Sequence, residues 1–189
     1  MNNDWLKNLL GACVLSLSLA TLAFAQGDVV NEQSHGSTWH SFLFQHPDGE
    51  EGRAYAHSVR DRQTAVFMFP SGQCNSSYRL SFFESGDSKN KGETRVDVTV
   101  RMRVDQRSTH TTSGEVIGSS GSSGLEVSVG RIEEGPEFLR DVRRGSRLYV
   151  TVQLPNGNEL AYEYDLSGSS AAIQRGMAVC TENDKTPAR

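Results

Sequence analysis

From position 94 to position 105 every second residue is apolar: Val96, Val98, Val100, Met102 and Val104 alternate with Arg95, Asp97, Thr99, Arg101, Arg103 and Asp105. Successive side chains of a β-strand leave on opposite faces, whereas an apolar helix stripe repeats about every 3.6 residues, so this run reads as a strand with one dry and one wet face. The pattern returns in Leu125, Val127 and Val129, in Leu148, Val150, Val152 and Leu154, and in Leu160, Tyr162, Tyr164 and Leu166. Between the last two runs stands Pro155-Asn156-Gly157-Asn158, and an Asn-Gly pair flanked by alternating segments is a strong hairpin signal. Further strands are expected at 38–45, 54–59, 64–69 and 77–83. Together these runs predict an all-β, mainly antiparallel chain, a β-sandwich of about eight strands.

Two short helices interrupt the strands. Pro136 suits a first helical turn, Phe138, Leu139 and Val142 form an apolar side, and Arg140, Arg143 and Arg144 gather at the end where the helix dipole favours cations. Gly145 then stands where a C-terminal cap is wanted. The second helix is expected to begin near Ser167 or Ser169, either able to cap it, with Leu166 buried and Gly168 free to take a positive φ. It runs through Ala171, Ala172, Ile173 and Met177 to Cys180, and its alanines let it lie close to a sheet. Segments 84–93 and 118–124 are rich in glycine and serine and read as loops.

A chain of 189 residues with 36% apolar content supports one core. The expectation is a single domain over 38–180, with a flexible segment at 26–37 and a flexible tail at 181–189. Residues 1–7 are polar, 9–22 are mostly apolar, and Ala23-Phe24-Ala25 matches a small-residue exit, so 1–25 read as a signal peptide cleaved near Ala25. Leu10-Gly11-Ala12-Cys13 faintly resembles a lipobox, but the apolar run follows Cys13 instead of preceding it. No other stretch reaches the roughly 20 apolar residues of a transmembrane helix. The mature chain is therefore expected in the periplasm or outside the cell. Cys13 leaves with the leader, and the remaining Cys74 and Cys180 should form a structural disulfide that tethers the second helix. A net charge of -4 argues against nucleic acid as a partner.

No nucleophile elbow, zinc-protease motif, phosphate loop or dinucleotide fingerprint occurs. His46-Pro47-Asp48-Gly49-Glu50-Glu51 carries metal-binding residue types, but its proline and Asp-Gly pair read more simply as a turn. His35, His40, His57 and His110 are dispersed, and a Ser-His-carboxylate set assembles only in space. A hydrolase built around His40, His57 or His110 is thus the enzymatic alternative to a chain with no catalytic residue, metal or cofactor.

The candidate interaction surface is cationic. Arg95, Arg101 and Arg103 share the wet face of one strand, Arg107 follows, and guanidinium forks suit carboxylates and phosphates. Such a face fits an acidic protein, lipid A phosphates or an anionic glycan. Asp97 and Asp105 lie on the same face, and the competing reading is a cross-strand ion-pair ladder on a solvated sheet. A docking face would instead set uncompensated charge around an aromatic anchor such as Trp39, which reads more simply as core.

The residues from 136 to 180, PEFLRDVRRGSRLYVTVQLPNGNELAYEYDLSGSSAAIQRGMAVC, bring these elements into a specific order. Phe138-Leu139, Val142 and Gly145 precede a strand, a polar turn, a strand ending Asp165-Leu166-Ser167-Gly168, then Ser170-Ala171-Ala172-Ile173 and a final cysteine. This ending resembles that of the invasion-associated locus B family of exported bacterial proteins, and is similar to that of the type VI secretion-associated TagO/VasI group. The resemblance implies a β-sandwich-like accessory protein, periplasmic or secreted, with no catalytic residue to transfer. The functional expectation is a non-enzymatic envelope protein that binds another protein in host interaction, secretion or stress. The alternative is a module for a small anionic ligand or glycan, or a periplasmic enzyme inhibitor, working through the loops at 84–93 and 118–124.

Overall fold

The computed structural model describes residues 27–46, 49–57, 63–74, 78–85, 94–118, 124–130, 132 and 135–184. The leader expected at 1–25 and most of the two glycine-serine loops lie outside them. Among the described residues there are ten strands: β1 (Asp28–His35), β2 (Trp39–His46), β3 (Gly49–His57), β4 (Gln63–Pro70), β5 (Arg79–Ser85), β6 (Thr94–Val104), β7 (Thr109–Gly118), β8 (Gly124–Val129), β9 (Arg147–Gln153) and β10 (Glu159–Asp165). They form one sheet in the order β1-β2-β3-β4-β5-β8-β7-β6-β9-β10. Every neighbouring pair is antiparallel.

The register carries a single apolar face across all these strands. Met102 lies opposite Val150 and Val150 opposite Tyr162, while Ala54 lies opposite Phe67 and Phe67 opposite Leu80. All of these belong to one buried cluster with Trp39, Phe82, Val104 and Tyr164. The sheet curls so that this face meets itself: the Phe82 ring on β5 stacks on Tyr162 and Tyr164 of β10, with centroids 6.0 and 5.8 Å apart. Trp39 Nε1 donates to the Asp165 carbonyl at 2.7 Å, closing β2 towards the end of β10. The two layers of the expected sandwich are thus halves of one continuous twisted sheet. Trp39 is completely buried, which removes it as a surface anchor.

The strand count is ten instead of about eight because β1 and β7 escape the alternating pattern. β1 occupies most of the segment expected to be flexible at 26–37; it is an edge strand, largely exposed, with a register break between Val30 and Gln33 and Asn31 at φ 56°. β7 places His110, Thr112 and Gly114 opposite Met102, Val100 and Val98, so of its inner positions only Val116 adds a large apolar side chain to the core. The hairpin between β9 and β10 forms as the Asn-Gly pair dictates: Gly157 has φ 84° and Leu154 N donates to Asn158 O at 2.9 Å.

Helix α1 (Gly135–Arg144) buries Phe138 and Val142, and α2 (Ser169–Asp184) extends past Cys180 into what was expected to be tail. Gly145 does not cap α1 with a left-handed turn. Its hydrogen is required because a Cβ there would collide with Val104 Cγ1. Gly168 does take a positive φ, 96°, and Ala172 N donates to its carbonyl in the first turn of α2. The Ser169 hydroxyl donates to the Val142 carbonyl at 2.8 Å, fastening α2 to α1 instead of capping its own helix. A disulfide joins Cys74, after β4, to Cys180 in α2, with Cα atoms 5.7 Å apart. Among the described residues no helix is long and apolar enough to cross a membrane.

Candidate interaction surface

Strand β6 lies between β7 and β9, so its outward side chains have neighbours on both sides. Arg101 is flanked by Thr111 and Thr151, and Arg103 by Thr109 and Tyr149. None of those four neighbours is acidic. The Arg103 guanidinium sits 5.3 Å from the centre of the Tyr149 ring, within cation–π range. Tyr149 keeps 37% of its surface exposed, because inward Leu148 and Val150 force it outward. Arg101 makes one long contact, 3.4 Å, to Gln153 Oε1.

Of the two acids expected to neutralise this face, Asp105 is engaged elsewhere. Asp105, at φ 49°, turns its carboxylate onto the backbone amides of Ser146 and Arg147 at 2.8–3.2 Å, holding the start of β9 beside the end of β6. Glu163 pairs with Arg147 at 3.0 Å. Asp97 lies opposite Glu115, an acid facing an acid, and Glu115 accepts from Arg95 at 3.3 Å. Arg107 pairs with Asp141 of α1 at 2.5 Å. The four arginines therefore separate into two with acidic partners, Arg95 and Arg107, and two that face solvent around Tyr149, Arg101 and Arg103. The sequence reading missed Tyr149. Its outward phase was legible from Leu148 and Val150, but its place beside Arg103 depends on which strands pair.

The histidines distribute over other surfaces. His40 stacks on Tyr55 at 4.8 Å, and Tyr55 donates to Glu32 at 2.6 Å. Burial and the Glu32 carboxylate both hold the Tyr55 phenol in its neutral form well above the usual range. His40 approaches both a serine and a carboxylate, Ser34 Oγ at 3.2 Å and Glu32 Oε1 at 3.4 Å, but through the same Nδ1. A Ser-His-carboxylate relay needs one ring nitrogen for each partner. His57 contacts Thr64, and buried His110 packs edge-on against Phe138 with Asp141 4.0 Å away. In the acidic turn, Pro47 and Asp48 lie outside the described residues, and among the described residues no three His, Cys, Asp or Glu side chains converge as a metal set.

His35 shares a 2.8 Å hydrogen bond with Ser41 between β1 and β2. Burial, then the nearby Arg175 and His40, lower its pKa. The unfolded chain therefore binds the proton more readily, and His35 favours folding above its unfolded pKa, with that contribution declining as pH falls below about 6.5. Between about pH 7.5 and 5.5 the parent should lose more thermal stability than His35→Gln. Equal losses in the two proteins would show that His35 does not carry the effect.

No family model matches the sequence, and no curated protein does. Among solved structures the chain is similar to invasion associated protein B from Bartonella henselae, with a TM-score of 0.54 and 13% sequence identity, over 80% of this chain and 99% of that one. At that identity the likeness is one of fold, and the curled antiparallel sheet described above is a fold that an invasion-associated protein also adopts.

Proposed function

We propose that this chain is an exported, non-catalytic accessory protein of the bacterial envelope that binds an acidic surface of another protein through the outer face of β6 and β9. The observation that carries this reading is the exposed Tyr149 beside Arg103 and Arg101, with Asp105 committed to backbone amides and Glu163 to Arg147. An amphipathic aromatic flanked by arginines is the composition that dominates binding energy at protein interfaces. The leader-like residues 1–25 and the disulfide support an oxidising compartment. The fold shared with an invasion-associated protein favours host contact as the setting.

Crosslinking in intact cells, read by mass spectrometry on parent and Arg101→Glu/Arg103→Glu protein, tests this directly. The parent should capture a defined envelope or host protein, and charge reversal should weaken that association at least about tenfold, with marked salt dependence in the parent. A partner captured equally by both forms would place the binding surface elsewhere. Because both arginines are exposed, the variant should keep the parent's melting temperature.

A further inference from the structure

An open cleft of about 940 Å³ lies between α1, the ends of β4 and β8, the start of β5, and α2. Its walls include Tyr78, Ile132, Leu139 and Met177, four hydrophobic side chains that pack on the core with one side and remain partly open. Arg140 and Arg143 stand at its edge and also line a second, smaller recess of about 130 Å³ with Arg144 and Ser170. The trough and the recess thus share Arg140 and Arg143, and three cations wall the recess. Among the described residues only Arg140 of the three has an acidic partner, Glu137 at 3.2 Å on the solvent side.

Three contacts tie the walls together. Tyr78 donates to the Gly135 carbonyl at 2.9 Å, Ser169 ties α2 to Val142 of α1, and the Cys74–Cys180 bond holds α2 against the strand ends. The cleft lies in the size range of small-molecule sites, roughly 300–1,000 Å³. An acyl chain with an anionic headgroup matches the apolar walls and the arginines at once. We propose that the cleft binds a single-chain anionic amphiphile, its apolar chain against Tyr78, Ile132, Leu139 and Met177 and its phosphate or carboxylate head on Arg140, Arg143 and Arg144. This site is separate from the outer face of β6 and β9 and does not depend on the function proposed for that face.

Isothermal titration of the purified protein with dodecyl phosphate, below its aggregation threshold, tests the assignment. The expected result is saturable binding of one equivalent, at least tenfold weaker for neutral dodecyl maltoside and for inorganic phosphate alone. Arg143→Gln/Arg144→Gln, in the last turn of α1, should weaken dodecyl phosphate at least tenfold while lowering the melting temperature by no more than a few degrees. Leu139→Trp should narrow the trough and weaken binding in protein that still melts cooperatively. Sedimentation with phosphatidylglycerol vesicles, whose lipids carry two chains, should leave the protein in the supernatant, and co-sedimentation would overturn the single-chain assignment. No saturable binding, equal affinity for the maltoside or for phosphate, or binding unaffected by the arginine pair would each overturn the proposal.

Discussion

Replacing Gly52 by alanine should lower the unfolding midpoint by about 6–12 °C, corresponding to about 3 kcal/mol, the upper end of overpacking penalties. A Cβ at Gly52 points straight into the carbonyl oxygen of Gly176 and also meets Cys180 Cβ at 3.0 Å. The obstacle is helix backbone, which has no rotamer to escape into, so α2 must move away from β3 as a unit. That retreat would disturb buried Ala172, Ile173 and Cys180, which belong to the central core. Gly176 faces the reciprocal restriction, since its own Cβ would approach Phe69 Cε2 at 3.1 Å and the Arg53 carbonyl at 3.2 Å. Gly118→Ala is the control: its added methyl meets nothing closer than Leu125 Cδ2 at 3.6 Å, and its midpoint should stay within about 2 °C of the parent. Thermal unfolding by circular dichroism distinguishes the two. A Gly52→Ala protein as stable as Gly118→Ala would mean that the helix yields at little cost.

This glycine pair also marks how far the sequence could be read. Alternation is a local property, and it located β6, β9 and β10 and the face that each buries, because inward Val, Leu and Tyr contrast with outward charge. It failed where that contrast is absent. β7 turns His110, Thr112 and Gly114 inward, and β1 is an edge strand with a bulge. Helix α2 was legible from Ala171 to Cys180, and of the two alanines expected to let it lie close, Ala172 is buried in the core while Ala171 is exposed; Gly176 against Gly52 makes a further close contact that was not anticipated. Those two glycines are 124 positions apart, and nothing local in either predicts the other. The arginine face was legible as a set of outward positions, whereas its electrostatics were not. Asp105 reads as a neutralising acid until the fold places it against the amides of Ser146 and Arg147. Residue types and phases are written in short windows, but compensation between charges depends on which strands become neighbours.

Cys180→Ser should be the most destabilising substitution that leaves the core's shape nearly unchanged. The bond joins residues 106 positions apart, a loop that encloses β5 through most of α2. In the chain-entropy description, closing a loop of that size restricts the unfolded chain by up to about 4–5 kcal/mol, although enthalpic accounts of disulfides reach similar totals by another route. For a domain of this length the loss converts to about 8–20 °C in the midpoint. The local geometry adds to the expectation, because Cys180 is buried beside the Pro70 carbonyl and its partner Cys74 lines the cleft under α1. Cutting the bond frees the last two turns of α2 from the strand ends. Cys74→Ser/Cys180→Ser should match the single variant within about 0.5 kcal/mol, since both lack the same crosslink and a lone buried thiol contributes little. Reduction of the parent under native conditions should be slow, limited by exposure of a buried bond, and after reduction its midpoint should fall to that of the double variant. A shift below about 3 °C in all three would show that packing of α2 on β3, and not the crosslink, holds this end of the chain.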